Sequence, residues 1–264
     1  RGKTEADREV THLLKPHERA IGLLHDEQAR EIRRGRGREL LHLSETGWRG
    51  RASWLFPAVG RSRDGMPIHG FARDHAWEAL SSSPIVVRHQ SGPQTRSLYP
   101  FDYQLTVTYA LIPGGLSAKA EVVAAASNSQ PMPFSLGNHL TLALPHGDCS
   151  VATPAHKILE LTGAGMLSGD SRRAEYAEGR GLKEDPALFD MVLGSFPPRQ
   201  CWAELRDPRG LTVRVTQRPN AYFVFWSDAG KSFFCLEPWH GLPDTRMTAL
   251  APGARFVWEM TLTV

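Results

Sequence analysis

The stretch Tyr103-Gln-Leu-Thr-Val-Thr-Tyr-Ala-Leu-Ile-Pro-Gly-Gly-Leu-Ser-Ala-Lys-Ala-Glu-Val-Val-Ala-Ala-Ala126 decides the fold class. Tyr103, Leu105, Val107, Tyr109 and Leu111 alternate with Gln104, Thr106 and Thr108, the period of two that sends successive side chains to opposite faces of a strand. Ile112–Leu116 is the turn, and Ala118–Ala126 returns as the hairpin partner. The same grammar recurs at Cys201–Leu205 and Leu211–Val215, joined by Asp207-Pro-Arg-Gly210. Phe256, Trp258, Met260, Leu262 and Val264 line one face of a closing strand. Tyr222-Phe-Val-Phe-Trp226 is apolar throughout and suits a strand covered on both faces. No stretch keeps helical periodicity for three turns, and turn signals return about every 8–12 residues, as in sandwiches and barrels. These patterns predict an all-β chain, a large antiparallel sandwich with few short helices.

A chain of 264 residues fits one such domain. The expectation is a single domain over residues 1–264 with a frayed segment at 1–9. Val10–Leu14 is a short strand candidate, and Asp26–Arg34 carries helix formers. Residues 163–199, rich in Gly, Pro and charge, read as a long excursion between strands. No apolar run approaches the roughly 20 residues that span a bilayer, and the N-terminal residues lack the apolar core of a signal peptide. Cys149, Cys201 and Cys235 are odd in number and scattered, as buried thiols in a reducing compartment would be, which points to the cytoplasm. The net charge is +3. The basic run Arg30, Arg33, Arg34, Arg36 and Arg38 has no interleaved aromatics, so neither nucleic acid nor a membrane is expected as a partner. A monomer or homodimer is expected.

The chemistry-bearing residues gather in three places. In Phe233-Phe-Cys-Leu-Glu-Pro-Trp-His-Gly-Leu-Pro-Asp244 an apolar run meets Glu237 and then Pro238, which donates no ladder hydrogen bond; the strand is expected to stop there, with the carboxylate at the rim. Such a carboxylate either serves chemistry or pairs with an amide or arginine. Ile68-His-Gly-Phe-Ala-Arg-Asp-His-Ala-Trp77 sets His69 and Arg73 four residues apart in what reads as a ligand-facing loop. Phe134-Ser-Leu-Gly-Asn-His139 places His139 after a strand and a Gly-Asn turn, where a lone histidine is more often structural. Three such sites at strand ends can converge in one cleft.

Taken together, "HGFAR" at His69–Arg73, "GNH" at Gly137–His139 and "EPW…LPD" at Glu237–Asp244 resemble the aldose 1-epimerase (galactose mutarotase-like) family. The pattern is nearest its branch of uncharacterised sugar epimerases and hexose-6-phosphate epimerases. "LFPAVGR" at Leu55–Arg61 and the closing "LAPGARFVWEMTLTV" extend the likeness over Glu39–Val264. The resemblance implies a β-supersandwich and a small-molecule sugar substrate. It implies Glu237 as the base that takes the anomeric hydroxyl proton and His139 as the acid that protonates the ring oxygen. His69 and Arg73 would hold ring hydroxyls and developing charge, and Asp190 would be a substrate-binding acid. Trp239 and Trp77 either stack on the sugar or fill the core. Arg61, Arg73 and His240 leave room for an anionic sugar carrying phosphate, sulfonate or carboxylate. The pattern departs from the family at Leu140-Thr141-Leu142, where Pro and an aromatic usually follow the histidine, and at His240, where a small polar residue is commoner. A carboxylate–imidazole pair can take one proton and give another near neutral pH, so no metal or redox cofactor is expected. The competing reading is a non-catalytic carbohydrate-binding protein on the same fold.

Overall fold

The alternation is realised from Tyr103 to Tyr109 and fades at half-buried Leu111: Tyr103, Leu105, Val107 and Tyr109 are 0–2% exposed while Gln104 between them is open to solvent. The computed structural model describes residues 40–42, 52–61, 65–144, 149–155, 157–162, 166–173, 191–193, 201–208, 210–219, 221–227, 232–242 and 247–264. The expectations for the frayed N-terminus, Val10–Leu14, Asp26–Arg34, the arginine run and Asp190 fall outside these residues.

The strands in chain order are β1 Ala52–Leu55, β2 Glu78–Ser82, β3 Ile85–Gln90, β4 Tyr103–Ile112, β5 Gly115–Ala124, β6 Met132–Phe134, β7 Leu136–Ala143, β8 Ser150–Ala152, β9 Lys157–Leu161, β10 Leu167–Arg173, β11 Met191–Leu193, β12 Trp202–Arg206, β13 Thr212–Arg218, β14 Tyr222–Trp226, β15 Phe233–His240, β16 Thr248–Leu250 and β17 Arg255–Thr263. One short helix, α1, spans Pro93–Arg96. No helix among the described residues is long and apolar enough to cross a membrane.

An eight-stranded sheet runs β2-β3-β4-β5-β17-β13-β12-β8, a seven-stranded sheet runs β1-β7-β15-β14-β11-β9-β10, and β16 pairs with β6. Neighbouring strands are antiparallel throughout. The two large sheets are tied together by Trp54 of β1, fully buried. Its ring meets Trp258 of β17 edge-on at 5.7 Å, and its Nε1 donates to the Tyr109 hydroxyl at 2.6 Å. Truncating so large a buried side chain costs about 3–5 kcal/mol. Further along the same interface Phe223, Phe225, Phe234 and Leu236 cluster with Val213, Val215 and Leu262 of the other sheet.

Three sequence expectations change. β15 does not stop at Glu237 but continues to His240. Pro238 is accommodated because β14 pairs with β15 continuously from Cys235 to Trp239, while pairing with β7 lapses between Cys235 and Trp239. His139 likewise lies inside β7 rather than beyond a turn. The Gly-Asn pair serves packing: a Cβ on Gly137 would meet Trp239 Cδ1 at 2.8 Å, and the Asn138 amide donates to the Ala52 carbonyl at 2.9 Å. The expected excursion at 163–199 contains β10 and β11. β10 is a polar, exposed edge strand with an irregular register, so it carries no hydrophobic alternation to read.

Candidate active site

Strand parity builds the site. Phe234 and Leu236 face the core between the sheets, so Cys235, Glu237 and Trp239 project from the opposite face of β15. Across β7, Cys235 stands opposite Thr141 and Trp239 opposite Gly137, which sets His139 beside Glu237. On the other flank Tyr222, Val224 and Trp226 stand opposite Trp239, Glu237 and Cys235.

The loop after β1 covers this face. Its backbone is stapled to the end of β1: the amides of Phe71 and Ala72 both donate to the Phe56 carbonyl at 3.1 Å. Gly70, at φ 67, passes so close that a Cβ would lie 2.3 Å from that oxygen. His69 just before it also has a positive φ, 66, a left-handed geometry that costs a non-glycine residue roughly 1 kcal/mol or more. Two hydrogen bonds hold it: the His69 amide donates to the Gly60 carbonyl at 2.8 Å, and the Gly60 amide donates to His69 Nδ1 at 3.1 Å.

The result is a buried polar cluster. His139 Nε2 lies 3.4 Å from Glu237 Oε1, and Trp239 Nε1 donates to Glu237 Oε2 at 3.1 Å. The His69 ring meets His139 edge-on at 5.2 Å and Trp239 at 5.8 Å. Arg73, only 8% exposed, donates from Nη2 to the Ile68 carbonyl at 2.9 Å, and its Nε lies 3.8 Å from Asp74. Burial pushes the Glu237 carboxyl up to about 8, against the pull of the Trp239 hydrogen bond and the Arg73 charge. Burial, then Arg73, lowers His139 to about 3. Burial holds His69 well below its ordinary value too, helped by His139, Arg73 and Arg61. The close contact is therefore one between a carboxylic acid and a neutral imidazole, sharing a single exchangeable proton, rather than a standing ion pair.

His69, His139 and Glu237 hold potential ligand atoms within 4.8 Å of one another, but this trio does not suit a metal. His69 Nδ1 already accepts the Gly60 amide proton, which leaves the ring's own proton on Nε2 and no free lone pair on either nitrogen. The Arg73 guanidinium alongside also opposes a cation.

The sequence profile of aldose 1-epimerases matches residues 54–263. The chain belongs to the aldose 1-epimerase family. Its fold is that of solved structures of the galactose mutarotase-like class. A galactose mutarotase-like protein from Lactobacillus casei is 26% identical, with a TM-score of 0.75 over 85% of this chain and 89% of that one. A galactose mutarotase related enzyme from Lactobacillus acidophilus is 22% identical, with a TM-score of 0.73 over 85% and 86%. A galactose 1-epimerase from Lactobacillus acidophilus is 16% identical, with a TM-score of 0.63 over 86% and 85%. No curated protein sequence matches this one significantly.

Of the residues singled out in the sequence of this family member, Glu237, His139, His69, Arg73 and Trp239 come together. Arg61 is exposed, yet its charge reaches His69. Trp77 does not join them: its Nε1 donates to the Ala72 carbonyl at 2.8 Å and its ring packs on His89 at 5.4 Å, anchoring the end of the loop in the core. His240 has the wrong parity. It faces away from Glu237, lies 4.3 Å from the Phe256 ring, and bonds Thr248 Oγ1 at 2.8 Å. Thr141 and the β14 residues Tyr222, Val224 and Trp226 share this face but escaped the motifs. Thr141 stands two residues beyond His139, and the period of two alone would have placed them together.

Proposed function

We propose that this protein is a cofactor-independent sugar mutarotase that interconverts the α and β anomers of an aldohexose. The observation that supports this most is the buried His139–Glu237 contact at 3.4 Å, with Arg73 charge acting on both groups. Mutarotation needs one proton taken from the anomeric hydroxyl and one given to the ring oxygen. Both oxygens are bonded to C1, so two groups in contact with each other can serve both.

The proton count closes on itself. A proton passed from Glu237 to His139 makes a carboxylate and an imidazolium, with Arg73 stabilising the carboxylate. Glu237 then takes the proton of the C1 hydroxyl as the C1 to ring-oxygen bond breaks. The bond's electron pair stays on the ring oxygen, which takes the imidazolium proton, and the sugar becomes an open-chain aldehyde. After rotation about C1–C2, the steps run backwards and give the other anomer. The open-chain stage leaves Glu237 protonated and His139 neutral, the arrangement that their burial favours. Each positioned proton transfer contributes typically about 10²–10⁴ in rate. His69 offers its Nε2–H, and Trp239 its ring face, to hold the sugar.

Exposed Arg61, whose charge reaches His69, together with Arg73 favours a sugar that carries a phosphate, sulfonate or carboxylate. The test is saturation-transfer NMR between anomeric signals of glucose, galactose, glucose 6-phosphate and a sulfonated hexose. Accelerated exchange that disappears in Glu237→Gln is the expected result, largest for the charged sugars. No acceleration, combined with measurable binding, would replace the enzyme by a carbohydrate-binding protein.

A further inference from the structure

We propose that Thr141 is a positioning residue that fixes the ring proton of His139 on Nδ1, so that the Nε2 lone pair faces Glu237. This rests on the acid–base reading of the His139–Glu237 pair. Thr141 is fully buried, and its hydroxyl touches three groups. It lies 3.3 Å from His139 Nδ1, donates to the His139 carbonyl at 3.3 Å, and lies 3.4 Å from Cys235 Sγ.

A hydroxyl has one hydrogen to give and two lone pairs with which to accept. With its hydrogen on the carbonyl, Thr141 can meet the other two groups only as an acceptor, so both must be donors. Cys235 qualifies as a thiol, because burial and the neighbouring Glu237 hold its pKa well above the ordinary value. His139 qualifies only with its proton on Nδ1. Nε2 is then an acceptor, directed at Glu237 Oε1. The other carboxyl oxygen is already taken by the Trp239 N–H, so the acid proton belongs on Oε1, where it meets the Nε2 lone pair. One assignment thus satisfies every group from Trp239 through Glu237, His139 and Thr141 to Cys235. The opposite tautomer would set an Nε2–H against the protonated Oε1 and leave Nδ1 requiring the one hydrogen the hydroxyl has placed elsewhere.

The consequence for catalysis is a direct path for the shared proton. It can pass from Oε1 to Nε2 without a prior change of tautomer, and that transfer arms base and acid together.

The test is a two-bond ¹H–¹⁵N spectrum of histidine-labelled protein, with His139 signals assigned by their absence in His139→Gln, alongside kcat, KM and the pH profile of anomer exchange. The expected wild-type pattern is Nδ1–H. Thr141→Val, similar in shape but without the hydroxyl, should populate Nε2–H, lower kcat roughly 3- to 10-fold, leave KM nearly unchanged and displace the pH profile. Thr141→Ser should restore tautomer and rate together. An Nε2–H wild type would overturn the proposal, as would a Thr141→Val protein whose tautomer or kcat stays as in the wild type. If Thr141→Val does not fold, the wild-type spectrum still decides the tautomer. If wild-type protein accelerates no sugar, the mutarotase reading fails, while the spectrum judges Thr141 independently.

Discussion

Glu237→Gln should abolish mutarotation and, at neutral pH, make the protein more stable. The glutamine oxygen can accept the Trp239 N–H and its amide can donate to His139 Nε2, reproducing the bonding of the protonated acid. The carboxyl sits at about 8 in the folded protein against an ordinary 4.5. Its folded value is raised, so between those limits the folded state holds a proton that the unfolded chain has released. Wild-type stability therefore falls as pH climbs from about 4.5 to about 8. Each pH unit of that gap is worth about 1.4 kcal/mol, which gives a ceiling of about 3 kcal/mol at pH 7. Relaxation and water entry reduce this to about 1–3 kcal/mol. In a domain of this size each kcal/mol moves Tm by about 2–4 °C, so the gain expected at pH 7 is about 2–12 °C. It should vanish towards pH 4.5 and grow towards pH 8. His139, lowered to about 3, contributes the opposite slope between about 3 and its ordinary 6.5, but it does so in both proteins and largely cancels in the difference. Thermal melts of both proteins from pH 4.5 to 8.5 provide the measurement. A variant no more stable than wild type at pH 7, or a difference indifferent to pH, would refute the buried-acid argument.

Four further outcomes are expected. His139→Asn should lower exchange at least about 100-fold while sugar binding by calorimetry persists; a rate close to wild type would move the acid elsewhere. The kcat/KM profile should be flat through neutrality and fall above about pH 8, where the pair loses its one shared proton; a rate still climbing through pH 8 would mean that an ionised Glu237 suffices alone. Gly137→Ala would put a methyl 2.8 Å from Trp239 Cδ1 and 3.1 Å from Val59 Cγ1, so a loss of about 1–3 kcal/mol in stability and a lower kcat should appear together in melts and kinetics. Arg73→Ala should raise KM on the order of tenfold for an anionic sugar and less for a neutral one; equal effects on both would remove its charge-reading role.

How much of this was legible in the sequence depended on whether one residue could announce its own surroundings. The hairpin of β4 and β5 was, because every second residue states its face. The meeting of His69, His139 and Glu237 was suggested by their places at strand ends and made specific by the family pattern, since it depends on β15 lying between β7 and β14. Pro238 misled because a missing N–H reads as a strand end, whereas one flank of β15 goes unpaired there and the other carries the strand onward. Trp77 and Trp239 look alike in sequence. The register of β15 puts one over the carboxyl, and the loop turns the other into the core. His240 shows the same logic: a residue next to Trp239 in sequence is on the opposite side of the sheet.

The order in which the chain is made gives β15 a further meaning. β7 and β14 both precede it in sequence, and β15 must enter between them before Glu237 can reach His139. A ribosome that has released everything up to Trp226 has thus produced His139 without the carboxyl it meets. During refolding, anomer exchange should recover no earlier than the insertion of this strand.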